Sequence, residues 1–258
     1  MRALFLLSTG RTGTTWLASV FEHGGARAVH EPDPRWLRVV GNAHAAGAIS
    51  RARAVDAVRR TRSDVIAASE SDNVAYVESN SLISGLAGAI LDAFDDVLVA
   101  QVVRAPESYV RSAIAWGQYR FAGRALNVVP YRRLAAPQFR PWSPSERWRW
   151  AQKDQFERLC WTWTAQNAAM REQGAGSARF RTLRFEDLVD PDTGRDVIAG
   201  LFTELDLPGG LVDAAIAAAA SDKNESAPRA AKVELDDAQL RRVREFCGEE
   251  AAHYGYVA

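Results

Sequence analysis

Residues 4–21 read LFLLSTGRTGTTWLASVF. An apolar run, Leu4 to Leu7, gives way to small polar residues around Gly10 and Gly13 and then to a helical pattern. A strand that feeds a glycine-bearing turn and then a helix is a common way to hold a phosphate. The helix begins with unpaired N–H groups and the positive end of its dipole. The reading of this stretch decides the fold, because the rest of the chain repeats the strand–helix rhythm that it starts.

Outward from it, the pattern predicts strands over 2–7, 26–32, 73–79, 96–103 and 178–185. Helices are predicted over 14–23, 46–69, 82–94, 106–117, 194–205, 210–220 and 236–250. The run DVLVAQVV (96–103) is apolar enough to be a central parallel strand. Ser143, Pro144 and Glu146 read as a capping box opening a further helix that runs to about residue 173. Residues 118–142 break the rhythm with three prolines and read as an excursion. The expected fold class is α/β: one three-layer domain over residues 1–258, P-loop-like, with a central parallel sheet of about five strands and helices on both faces.

The loop departs from the Walker A pattern GxxxxGK[ST]. Only two residues separate Gly10 from Gly13, Thr14 stands where the lysine belongs, and the basic residue is Arg11, inside the turn. The strand 96–103 leads into Arg104 and not into a magnesium-holding aspartate. The anion is therefore expected to be met by arginine, hydroxyls and backbone N–H groups, with no metal.

These residues carry a resemblance. STGRTGTTWL (8–17) resembles the 5′-phosphosulfate loop of sulfotransferases that use 3′-phosphoadenylyl sulfate (PAPS), and VVRAPESYVRS (102–112) is similar to their 3′-phosphate element. In that element an arginine leaves a strand and a serine follows eight positions later, which Arg104 and Ser112 satisfy. LRFEDLVDP (183–191) resembles the family's late strand and turn, with Phe185 in place of the usual tyrosine, and the closing AAHYGY is also similar. HEPDPRW (30–36) resembles the Glu-Pro segment of the carbohydrate and tyrosine branches, whose base is a glutamate. The resemblance leaves 35–72 and 117–145 uncovered.

It implies PAPS as donor, adenosine 3′,5′-bisphosphate (PAP) as product, and sulfuryl transfer to a hydroxyl. Arg11, Thr12, Gly13, Thr14 and Thr15 are the expected 5′ cradle, and Arg104 with Ser112 the 3′-phosphate site. Arg11 is also expected to stabilise charge on the leaving group, and Glu31 to be the general base, with Glu78 as the alternative. Trp16 either stacks on adenine or belongs to the core. Phe185 is expected to pack near the adenine. Lys223 and Ser226 fall where the family has a polar loop over the nucleotide; the alternative is a plain solvated loop. His30 alternates away from Glu31 and is expected to be buried. Glu186 and Asp187 are expected as acids favoured by a helix N-terminus.

Composition narrows the other classes. Of 258 residues, 32 are basic and 32 acidic, so no global field invites nucleic acid. Cys160 and Cys247 form no CxxC motif, and no Cys/His metal spacing is present, so both read as buried thiols in a reducing compartment. The N-terminal apolar run stops at Leu7, too short for a signal peptide, and no window approaches the ~20 apolar residues of a membrane span, so a cytoplasmic protein is expected. Aromatic residues interleaved with arginine between Trp116 and Trp150 suit a sugar, an aromatic scaffold or an acidic lipid head group, and the Glu-Pro resemblance implies a small-molecule, carbohydrate or glycosylated acceptor. Two other classes stay open: a magnesium-dependent nucleotide kinase or hydrolase with a degenerate loop, and a non-catalytic nucleotide-binding module.

Overall fold

The computed structural model describes residues 3–34, 36–119, 152–221 and 233–256. Five strands form one sheet: β1 (Ala3–Ser8), β2 (Arg27–His30), β3 (Tyr76–Asn80), β4 (Val97–Val103) and β5 (Phe180–Arg184). Their spatial order is β2-β3-β1-β4-β5 and every pairing is parallel. β1 is central, and all six of its residues are buried.

Period-two alternation assigns the two faces. Ala3, Phe5 and Leu7 face α3 (Arg51–Ser71) and α4 (Ala87–Ala93); Leu4 and Leu6 face α1 (Thr14–His23), α8 (Gly194–Glu204) and α9 (Val212–Ser221). A third cluster joins α5 (Pro106–Trp116), α6 (Gln155–Gly174) and α10 (Asp237–Ala252) through residues such as Trp163, Tyr109 and Val243. The expected three-layer α/β architecture is what these faces build.

The expected helix over 46–69 is α3, which starts later, at Arg51, and an unexpected short helix precedes it. That short helix, α2 (Leu37–Ala45), ends before Gly47 in the left-handed region, and α3 starts where the Ser50 hydroxyl accepts from the Arg53 amide. Serine as an N-cap offers the first turn an acceptor, so a break there costs little. The described part of the long helix, α6, begins at Gln155. Asp154 accepts from the Glu157 amide at 2.8 Å and the Glu157 carboxylate accepts from the Asp154 amide at 3.2 Å, which closes a capping box. The expected box at Ser143 and most of the excursion over 118–142 lie outside the described residues. A five-residue helix, α7 (Phe185–Val189), follows β5 directly. Among the described residues no helix is long and apolar enough to cross a membrane.

From β1 the chain turns toward the β2 edge, and from β4 it turns toward β5. The crevice beyond the carboxyl ends of β1 and β4 is therefore a topological switch point, where open α/β sheets bind ligands. Ser8 pairs in register with Val102, so the two loops that follow start side by side.

Candidate active site

The loop after β1 bends back on itself. Gly10, Arg11 and Gly13 all have positive φ, at 77°, 59° and 70°. Gly13 is the N-cap of α1, and no side chain caps that helix. Its first N–H groups, which have no partner within the helix, are left to face the crevice. A side chain at Gly13 is doubly excluded: φ is left-handed, and a Cβ would lie 2.5 Å from the Phe185 ring. Thr12 and Thr14 are buried beneath the loop, and the Thr12 hydroxyl has no hydrogen-bond partner.

The two sequence motifs meet here. Arg104, just past β4, donates from Nη1 to the Arg11 carbonyl at 2.8 Å, and Arg11 Nε donates to the Ser112 hydroxyl at 3.3 Å. Arg11 stacks over the Trp116 ring at 4.8 Å, and Arg104 over Phe185 at the same separation. Phe185 thus touches both Gly13 and Arg104, which fixes the spacing of the two loops. The Arg104 Nε is buried without a partner. Burial lowers the proton affinity of both guanidiniums, and their mutual repulsion lowers that of Arg104 further against the opposing pull of Glu186. Two partly desolvated cations, an uncapped helix and two unpaired buried donors together fit a ligand with two anionic ends.

Sequence reasoning assigned Glu186 to the helix dipole alone. Its carboxylate is a strut: Oε1 accepts from the Ala105 amide at 3.0 Å and Oε2 accepts from the Tyr256 hydroxyl at 2.6 Å. The last described residue therefore ties the β4–α5 turn to α7. The Trp163 indole adds a bond to the Arg104 carbonyl at 2.9 Å. No short-range signal marks these partners, because they join residues far apart in sequence.

On the β2 side the crevice widens into a cleft of about 600 Å³. Arg11, Thr14 and Thr15 line it from the loop after β1, Glu31 and Arg38 from the segment after β2, and Gln166 from α6. Glu31 has φ 46° and its carboxylate accepts from the Ser81 hydroxyl at 2.5 Å. His30 corrects its expectation: it is exposed, lines the cleft, and places Nδ1 3.1 Å from the Ser79 carbonyl, because β2 is the sheet edge and nothing described covers that side. The sequence offered no signal for Ser81 or Arg38, which depend on how β3 and α2 approach the loop.

Glu78 does not reach the cleft. It is fully buried and holds four partners: Arg62 Nε at 2.5 Å, Arg62 Nη2 at 3.0 Å, and the Tyr76 hydroxyl and Asn80 amide at 2.8 Å each. Burial works against the Arg62 charge, but the Glu78 carboxylate outweighs it and the guanidinium holds its proton more firmly. Trp16 lies on the far side of α1, half-buried, in a second hollow of about 510 Å³ with Leu188, Val189, Pro191 and Ile216. Lys223 and Ser226 lie outside the described residues.

No family model matches the sequence, and no curated protein matches it. Among solved structures, a sulfotransferase domain from the curacin biosynthetic pathway is similar over 94% of this chain and 95% of its own, with a TM-score of 0.51 and 13% identity. The chain has the sulfotransferase fold. A sulfotransferase from Alicyclobacillus acidocaldarius is similar over 96% of this chain and 92% of its own, with a TM-score of 0.48 and 15% identity.

Proposed function

We propose that this protein transfers a sulfuryl group from PAPS to a hydroxyl of a small-molecule or carbohydrate acceptor. The observation that carries the reading is the meeting of Arg11 with both Arg104, at 2.8 Å, and Ser112, at 3.3 Å, across the β1 and β4 loops. An ATP site has no use for that second basic element, whereas a nucleotide with a 3′-phosphate does. Arg11, Thr14, Thr15 and the N–H groups of residues 12–15 take the 5′ end, with Thr12 and Gly13 shaping the turn. Arg104 and Ser112 take the 3′-phosphate. Phe185 fixes the two loops, and Trp16 offers an aromatic wall for adenine in the hollow beside α1. Lys223 and Ser226 remain candidates for closing over the nucleotide.

In the reaction, the acceptor oxygen forms a bond to sulfur as the bond from sulfur to the bisphosphate oxygen breaks. Charge builds on the leaving oxygen, and Arg11 with the loop N–H groups is preorganised to meet it. Glu31 takes the acceptor proton, as the half-buried carboxylate of the cleft held in place by Ser81.

Calorimetric titration of PAP in EDTA, with AMP as comparison, tests the reading. Metal-free binding that weakens markedly for AMP, with the preference lost in Arg104→Ala, supports it. Equal binding of PAP and AMP overturns it and returns the loop to the kinase or hydrolase class.

A further inference from the structure

Among the described residues that line the cleft, two arginines face one carboxylate. Glu31 is engaged by Ser81, and Arg11 is engaged by Ser112 and Trp116 at the donor end. Arg38 lines the same cleft and makes no hydrogen bond or ion pair with any described residue. A guanidinium offers five donors in a planar fork and stays charged at any physiological pH.

Its carrier is held firmly. Arg38 and Asn42 sit one helical turn apart on α2, and both line the cleft. α2 is pressed against the turn before α4: a Cβ on Gly85 would lie 2.7 Å from the Gly41 carbonyl, so the two backbones touch where side chains would otherwise separate them. Leu37 is completely buried beside Arg38. The fork is therefore presented from a rigid helix opposite the donor loop.

We infer that the acceptor is a small hydroxy compound carrying a carboxylate, and that Arg38 binds that carboxylate while Glu31 faces the hydroxyl. The inference rests on the transfer reading above. A single guanidinium matches one planar, singly charged oxyanion in a paired fork. A dianionic phosphate would leave surplus negative charge in a cleft that already holds Glu31. A neutral sugar would leave the fork hydrated and unused.

The experiment uses the full chain, PAPS as donor, and matched pairs of hydroxy acids and their methyl esters, aliphatic and aromatic. Turnover is read by sulfate transfer, and binding to the PAP-loaded protein by ligand-observed NMR. The expected result is an acid-over-ester preference of about 10- to 100-fold in kcat/KM, the scale of one charge-assisted hydrogen-bond pair. Arg38→Ala should collapse that ratio toward one while leaving PAP affinity unchanged, and Arg38→Lys should retain part of it. Esters that match the acids overturn the inference, as does an unchanged ratio in Arg38→Ala. Failure of every acid to bind or react, with tight PAP binding intact, also overturns it and leaves the donor reading standing. Loss of PAP selectivity in the wild type would instead sink the donor reading itself.

Discussion

The end of β2 and the middle of β3 each carry a glutamate, and the two have opposite fates. Val29 pairs with Glu78 and His30 with Ser79, so Glu31 lies level with Asn80, two residues further along the sheet. That step takes Glu31 past the last strand pairing, into a left-handed turn and a cleft. Glu78, between Val77 and Ser79, is locked under α3 by Arg62. Two carboxylates of the same type, on neighbouring strands, differ by about one pleat in depth. That pleat decides whether the group lines the cleft or pairs with a buried arginine.

The largest expected effect breaks the comparison on the cleft side. Glu31→Gln keeps the shape and removes the base, so kcat should fall by ~10²–10⁴-fold. PAP affinity, measured by titration, should not change. Full turnover in Glu31→Gln would remove the distinction between the two glutamates. The reciprocal change, Glu78→Gln, leaves Arg62 buried without its counter-charge. Breaking one half of a buried pair costs about 3–5 kcal/mol, visible as a fall in the denaturation midpoint. Turnover per folded molecule should be retained. A loss of activity with unchanged stability would instead make Glu78 the base.

A smaller effect sharpens the cleft side. Ser81→Ala removes the hydroxyl that donates to Glu31. One hydrogen bond of this kind is worth about 0.5–1.5 kcal/mol, so kcat should drop roughly 2- to 12-fold with PAP affinity unaltered. Ser81→Thr, which keeps the hydroxyl, should recover part of the loss. No change in Ser81→Ala would mean that Glu31 is oriented by the turn alone.

The sequence carried the fold unusually far because the strands of this sheet are short apolar runs bounded by polar turns. β1, β4 and α1 are legible from local pattern, as is the Pro106 start of α5. The 14–23 helix is legible even without a cap, since the glycine turn before it is itself the signal. α2 was not legible. Its backbone at Gly41 is approached by Gly85, where a side chain would collide with the Gly41 carbonyl, a contact 44 positions away that no local window contains. Arg104 and Ser112 were legible from their eight-residue spacing across the β4–α5 turn. The lining of the cleft was not, because Ser81, Arg38 and Gln166 come from three separate stretches of chain. Seeing that Glu31 and not Glu78 lines the cleft needed the sheet register, and the strut from Tyr256 through Glu186 to Ala105 needed the path of the whole chain.

The smallest expected effect tests whether burial, and not mere pairing, sets the fate of Glu78. α3 makes a second ion pair at its other end, between Arg51 and Asp92 at 2.5 Å, with 43% and 48% of the two side chains exposed. The Arg51 hydrogen bond holds the Asp92 carboxyl below its ordinary range, with Arg179 and Arg59 adding to it. A depressed carboxylate pKa contributes stability that is fully present above the unfolded value, near 4, and is lost as pH falls through the folded value below it. Asp92→Asn should therefore cost no more than ~1 kcal/mol at neutral pH, the range of solvent-exposed pairs. The difference from wild type should narrow as denaturation is measured at pH values falling below about 4 and close once the pH lies below the folded value. Arg51 keeps its bond to the Gly88 carbonyl, and Arg59 and Arg179 still serve the last carbonyls of α4, so the helix end does not lose its partners. A cost in Asp92→Asn as large as that of Glu78→Gln would show that both pairs anchor α3 alike. The contrast between a buried and an exposed carboxylate would then rest on position along the sheet alone.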